Sequence, residues 1–440
     1  MEVPDVDYAR TGGVAVAYQA LGDGPPDLVF LPFMANIYTL WHAPGFAELG
    51  RRLATGRRLI VVNPRGVGLS DRPRGFTVET RMDDIRAVMD HSGSERAAVL
   101  GIAEQAATCA IFAASYPDRT ERLVLYNPWT RHAGRRRAGG AANFDAVPLA
   151  ALREESEKWG RREYLEEFAA TINPQWADDS EYLNWFVWHH RLTASPSAWV
   201  EVRRMQLDLD ITDVLPAIRI PTLVISKEFI RAEGEFIAGA IPDCDFVSIP
   251  GIGGAIQENE HAVEAIEAFL AGAEPRRIPD TVLATVLFTD LVGSTERAVE
   301  LGDRAWRELL ERHNTAVRHE LERYRGVEVD TAGDGFFARF DGPARAIACA
   351  QTITGRVSEL GLEVRAGIHT GECERVGEKI AGMAVNVGAR VSGAAGPGEV
   401  LVSGTVKDLV AGSGIEFEDR GAHALKGVPG EWRLYAVRGA

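Results

Sequence analysis

Along the first 270 or so residues, short unbroken apolar runs alternate with stretches of helical spacing. Residues 12–22 (GGVAVAYQALG) and 27–33 (DLVFLPF) predict strands, the second apolar enough to be buried on both faces. A helix is expected over 45–54, a strand over 58–64, a loop at 65–73 and a helix over 82–93. The strand 97–102 (AAVLGI) then turns at 103–105 into the helical run 106–117, followed by the strand 122–128 (RLVLYNP). Strand and helix resume at 221–226 (PTLVIS), 245–250 (DFVSIP) and 261–272 (HAVEAIEAFLAG). Such alternation implies an α/β domain with a mostly parallel, doubly wound sheet. Between its halves, residues from about 131 to 210 are rich in charge, tryptophan and helix formers, the pattern of an inserted helical cap. The first domain is therefore expected to span 1–272.

The stretch 271–280 (AGAEPRRIPD), with Gly, two prolines and paired arginines, marks 273–280 as a linker, and a different rhythm follows over 281–440. The β-branched run 282–290 ends in Phe288-Thr289-Asp290 and turns into a long amphipathic helix. Its apolar stripe is Trp306, Leu309, Leu310, His313, Ala316, Val317, Leu321 and Tyr324. Residues 327–340 (VEVDTAGDGFFARF) read as a hairpin turning at Gly333-Asp334-Gly335. Helices at 343–360, 384–395 and 405–412 and strands at 362–372 and 399–404 complete an α+β pattern. Adjacent strands would thus carry Asp290 and Asp334 to one end of a sheet, facing the helix start at Val292, Gly293, Ser294 and Thr295. Paired carboxylates suit hard divalent cations, and free N–H groups at a helix start suit phosphate.

Net charge and cysteine usage narrow the partners. A net charge of −15 and a pI near 5.3 argue against nucleic-acid polymers and anionic membranes. The four cysteines (Cys109, Cys244, Cys349, Cys373) have neither disulfide-framework nor zinc spacing. The N-terminal residues lack the basic and apolar regions of a signal peptide, and no apolar run is long enough to span a bilayer. A cytoplasmic location is expected.

From 281 to 438 the chain resembles the class III nucleotidyl cyclase domain, an α+β ferredoxin-like fold that works as a dimer. The resemblance implies that Asp290 and Asp334, with the Leu291 carbonyl, hold two Mg2+ or Mn2+ ions. It further implies that Asn386 and Arg390, at helical i and i+4, place the ribose and steady charge at the α-phosphate. Lys426, in RGAHALKG, would hold the terminal phosphates. In this family the metal residues come from one subunit of a homodimer and the Asn, Arg and base-reading residues from the other, and the resemblance to bacterial, especially actinobacterial, hydrolase–cyclase fusions favours ATP. The implied reaction is ATP to cyclic AMP and pyrophosphate. In adenylate cyclases of this class a Lys precedes the second metal Asp by four residues, and an Asp precedes the Asn by seven. Here those positions are Asp330 and Lys379, an exchanged pair. A carboxylate accepts well from guanine N1–H and N2–H but meets adenine N1 lone pair to lone pair. Three outcomes stay open: direct reading of GTP, a shifted pose that still reads ATP, or a pair satisfied by itself. A further reading is a catalytically weak nucleotide-binding or dimerisation module.

The first domain resembles the α/β-hydrolase fold through LPFMAN, the NPRGVGLSDRP loop, the strand-elbow-helix VLGIAEQAA and the last strand–helix pair. Where that family has G-x-S-x-G, this chain reads Gly101-Ile102-Ala103-Glu104-Gln105. Ala103 has no nucleophile. The acid position reads Lys227-Glu228-Phe229-Ile230, and the histidine position falls at Gly254, with no histidine before His261. Loss of all three triad members leaves no acyl-transfer machinery, so no hydrolase activity is expected. Cys109 reads as a core residue, and His189-His190 as part of a cap helix rather than a metal site. The emptied pocket is expected to bind a small apolar ligand.

Overall fold

β3 (Asp27–Leu31), flanked in the chain by β1 (Asp7–Thr11), β2 (Val14–Leu21) and β4 (Arg58–Val62), is buried at all five positions. The structure, a computed structural model, describes residues 3–130, 149–251, 255–272, 281–376 and 379–438. Residues 131–148 of the expected cap, Gly254 and the expected linker 273–280 lie outside the described residues. With β5 (Ala97–Ile102), β6 (Thr120–Tyr126), β7 (Thr222–Lys227) and β8 (Cys244–Ile249), the N-terminal sheet runs β1-β2-β4-β3-β5-β6-β7-β8. All its pairs from β4 to β8 are parallel. Phe46, Leu49 and Leu53 of one helix and Val263 and Ile266 of another pack with Leu28, Phe30, Val61 and Leu100. β1 was not anticipated. Its sequence DYART carries no apolar run, and it is held by its antiparallel ladder to β2. Among the described residues between β6 and β7 stand four α-helices, Leu149–Lys158, Arg162–Ile172, Ser180–Thr193 and Pro196–Asp208, where the sequence pattern puts the cap.

The chain divides into two units, residues 1–279 and 280–440. The second contains β9 (Thr281–Leu291), β10 (Val327–Ala332), β11 (Gly335–Phe340), β12 (Val364–Val376), β13 (Lys379–Ala381), β14 (Val400–Ser403), β15 (Phe417–Ala424) and β16 (Glu431–Val437). Their order is β10-β11-β9-β12-β14-β16-β15, with β13 on β12. One sheet face, with Leu287, Phe336, Ala338 and Ile368, packs on Val317 and Leu321 of the long helix and on Ile347 and Ile353 of the helix Pro343–Glu359. The long helix, Ser294–Arg323, is broken at Gly302, whose φ of 72° and ψ of 159° are non-helical. The other face, with Val282, Ala284 and Val286, packs on Ala384 of the helix Met383–Ala394. That contact is close. A Cβ on Gly367 would lie 2.0 Å from the Ser392 amide, and one on Gly388 would lie 2.5 Å from Val286 Cγ2. Among the described residues no helix is long and apolar enough to cross a membrane.

Candidate active site

Asp290 is the penultimate residue of β9, on the same face as Val286 and Phe288 by strand alternation. In the antiparallel register with β12 it stands opposite Arg365. The Arg365 guanidinium forms an ion pair with Asp290 Oδ2, with Nε at 3.0 Å and Nη2 closer still. Sequence reasoning missed this arginine. Its only signal is the β9–β12 register, which a local pattern does not carry.

Asp334 sits in the two-residue turn of the β10–β11 hairpin, where Ala332 pairs with Gly335. Gly333 precedes it at φ +66°, a conformation that favours glycine. Since Phe336 pairs with Thr289, this turn lies at the Asp290 end of β9. Asp334 Oδ2 is buried with no hydrogen-bond partner. An unpaired buried carboxylate oxygen is costly, and a hard cation satisfies it. The residues present therefore fit the divalent metals that the cyclase fold implies, with Asp290 and Asp334 as carboxylate donors and the Leu291 carbonyl beside them. Among the described residues no group of three or more His, Cys, Asp or Glu could hold a metal. Phosphate oxygens and water would complete such a coordination sphere, as is usual for magnesium. His313 lies behind Asp334, fully buried against Phe336 at 5.8 Å between ring centroids. Burial holds its imidazole below the usual range, against the pull of Asn314 and Asp334. It is a core residue.

Gly293 caps the following helix at φ 66°, and no side chain bonds to the first turn. First-turn N–H groups have no acceptor inside the helix, so Gly293, Ser294 and Thr295 present an anion-binding end. Val292 does not belong with them. Its N–H donates to Glu363 O at 2.8 Å, because the β9–β12 pairing runs one residue past the strand.

Asn386 and Arg390 are exposed on the outer face of the helix Met383–Ala394, whose inner face is pressed onto β9 and β12. Asp330, on β10 opposite Phe337, pairs with Lys379 Nζ at 3.6 Å, both side chains being more than half exposed. Asp330 Oδ1 also accepts from the Thr331 N–H at 3.1 Å. Phe337 stacks on Phe288 at 4.5 Å. Lys426 is exposed in the turn between β15 and β16, at the sheet edge opposite β10 and β11. Asp290 and Asp334 are thus brought together, and Asp330 is brought to Lys379. Lys426 is not brought to the carboxylates.

In the N-terminal unit the elbow persists without its nucleophile. Ala103 has φ 51° and ψ −116°, a strained conformation for a residue with a Cβ. Glu228 is on the surface, accepting from Ser248 Oγ at 2.9 Å, and His261 is exposed. Cys109 is buried and its thiol is pushed up by burial alone, as befits a core residue. His189 and His190 are buried in the cap, with His189 Nδ1 2.7 Å from Thr39 Oγ1 and His190 stacked on Phe186. They help line a cavity of about 510 Å³, together with Ala103, Glu104 and a largely aromatic wall.

These units define the class of the protein. Residues 279–439 match the adenylate and guanylate cyclase catalytic domain, and residues 28–182 match the alpha/beta hydrolase fold. The chain joins an α/β-hydrolase-fold domain to a class III cyclase domain that follows it. Among curated proteins it is 31% identical over 174 residues to an uncharacterised protein of Mycobacterium tuberculosis, covering 37% of this chain and 58% of that one. It is 30% identical over 214 residues to a pH-sensitive adenylate cyclase of the same organism, covering 43% and 51%. The chain thus spans little more than half the length of these relatives. A hydrolase from Pseudomonas aeruginosa shares the N-terminal fold at 23% identity and a TM-score of 0.51, covering 61% of this chain and 99% of that one.

Proposed function

We propose that the chain is a cytoplasmic nucleotidyl cyclase that converts ATP to cyclic AMP and pyrophosphate at sites shared between two copies. Its N-terminal unit binds a ligand and regulates, without hydrolysing. The observation that carries the reading is the carboxylate pair Asp290, at the end of β9, and Asp334, in the turn of the adjoining hairpin, beside an uncapped helix start.

Two divalent cations held there by Asp290, Asp334 and the Leu291 carbonyl would activate the attacking hydroxyl and neutralise the leaving group. The rest falls to the chain. The N–H groups of Gly293, Ser294 and Thr295 bind phosphate oxygens. Asn386 of the partner subunit orients the ribose so that its 3′-oxygen lies in line with the α-phosphorus, and Arg390 of the partner subunit stabilises charge growing on that phosphate. Lys426 holds the terminal phosphates. The separation of Lys426 from the carboxylates across the sheet order supports a site completed by a second copy.

The Asp330–Lys379 pair favours a second reading, GTP as substrate. Its carboxylate accepts from guanine N1–H and N2–H, and the 3.6 Å contact leaves the ammonium beside it for O6. Turnover of ATP and GTP in parallel, with manganese and then magnesium, decides between them. Cyclic AMP as main product supports the first reading and cyclic GMP the second. No product from either, with the aspartates intact, would reduce the domain to a nucleotide-binding or dimerisation module.

A further inference from the structure

In the α/β-hydrolase fold two backbone donors hold the reacting oxyanion. One is the N–H of the residue after the nucleophile, and the other comes from the loop after the first central strand. Here they are the N–H of Glu104 and the N–H of Met34, in the loop after β3. Both are already engaged. Glu104 Oε1 accepts from the Met34 N–H at 3.3 Å, and the carboxylate also takes the N–H of Glu104 itself. Gln105 Nε2 donates to the same oxygen at 3.4 Å. The side chain that follows the missing serine has thus folded back into the hole that the serine chemistry would use.

The cavity beside it is in the size range, roughly 300–1,000 Å³, that encloses a small organic ligand. Its wall is dominated by rings, among them Trp129, Phe168, Trp176, Trp185 and Phe186. Among the described residues its charged ones are Glu104, Glu155 and Arg203. Arg203 lies over the Trp199 ring at 5.5 Å and is attracted by Glu155 and Glu104, so its charge is compensated from within. Buried Arg81, on the helix Val78–His91, offsets Glu104 from behind. His189 and His190 are held neutral by burial. His190 Nδ1 lies 3.0 Å from Phe186 O, so it donates there and Nε2 is left as an acceptor. Among the buried atoms of the wall, His190 Nε2 and Glu104 Oε2 have no hydrogen-bond partner. Both accept in these states, and among the described residues the one cation of the wall, Arg203, is compensated by Glu155 and Glu104.

We propose that Glu104 is a built-in anion that closes the oxyanion hole, and that the cavity takes an uncharged, mainly apolar ligand carrying an O–H or N–H donor while rejecting carboxylates. This rests on the reading of the N-terminal unit as a ligand-binding domain. It recasts the lost hydrolase site as one selective against the anions that such a hole would attract.

Calorimetric titration of the full chain at pH 8, where the Glu104 carboxyl is largely ionised, with naphthol and naphthoate, alike in shape, one neutral and one anionic, tests it. Naphthol is expected to bind at least about tenfold tighter than naphthoate, since a like charge beside a buried carboxylate is repelled. Glu104→Gln removes the charge, and Glu104→Ala frees both N–H groups. In each the preference should shrink, and Glu104→Ala should bind naphthoate. Equal binding of the two probes by the unsubstituted chain, or an unchanged preference in variants that still bind naphthol, would overturn the ligand class. Should neither probe bind the unsubstituted chain, the ligand-binding reading itself falls, while cyclase turnover is judged separately. The comparison on the unsubstituted chain stands even if a variant misfolds.

Discussion

Burial raises the Glu104 carboxyl from 4.5 to about 7, against the opposing pull of its own N–H, Arg81, the Met34 N–H and Arg203. A carboxyl raised on folding adds stability that is fully present below about 4.5 and lost as pH rises through about 7. The groups facing it are Arg81, Arg203, Gln105 and the Met34 amide, so no second acid masks the effect. Glu104→Gln cannot ionise. Its stability relative to the unsubstituted chain should therefore rise between about 4.5 and about 7. Denaturant titration followed by tryptophan fluorescence checks this, because seven of the nine tryptophans lie in residues 1–279. A pH-independent difference would contradict it. Arg365 and a divalent cation compete for the same oxygen of Asp290. An exposed pair of this kind is worth roughly 0.2–1 kcal/mol, so Arg365→Met should lower the manganese concentration for half-maximal turnover by up to about fivefold. A fall in turnover at unchanged half-saturation would instead assign Arg365 to the substrate. The positions of Ala103 at the elbow and of Asp290 and Asp334 at one sheet end were legible in the sequence, because local strand and turn patterns carry them. Glu104 and Arg365 were not, since their roles arise from a loop and a strand remote in sequence.

At the scale of elements, the helix that carries Asn386 and Arg390 is positioned by two glycines. Gly367→Ala would drive a Cβ toward the Ser392 backbone, which has no rotamer by which to yield. The expected cost is about 1–3 kcal/mol or more, the range for overpacking, read as an earlier denaturation of the cyclase unit. Stability equal to that of the unsubstituted chain would show that the helix can slide outward. Most elements here were legible from periodicity: the parallel strands, the cap helices, the hairpin at Gly333-Asp334 and the apolar stripe of the long helix. Three features were not. β1 lacks an apolar run and depends on β2; the Gly302 break falls before the apolar stripe, which starts at Trp306, and leaves its period untouched; and β15 and β16, with an alternating pattern weakened by exposed polar positions, read only as a tail. Each is decided by partners distant in the chain rather than by local pattern.

At the scale of the whole molecule, half of each proposed active site comes from a second copy. Asp290→Ala and Arg390→Ala should each lower turnover by on the order of 10²–10³-fold, as removal of a charge stabiliser does. Because they disable opposite halves, a dimer containing one of each retains one intact site. Turnover by an equimolar mixture of the two variants, after exchange of subunits, is the measurement to make. Half of the dimers would be mixed, each with one of two sites intact, so about a quarter of the unsubstituted activity is predicted. A mixture no more active than either variant alone would contradict a cyclase site built from Asp290 of one chain and Arg390 of the other.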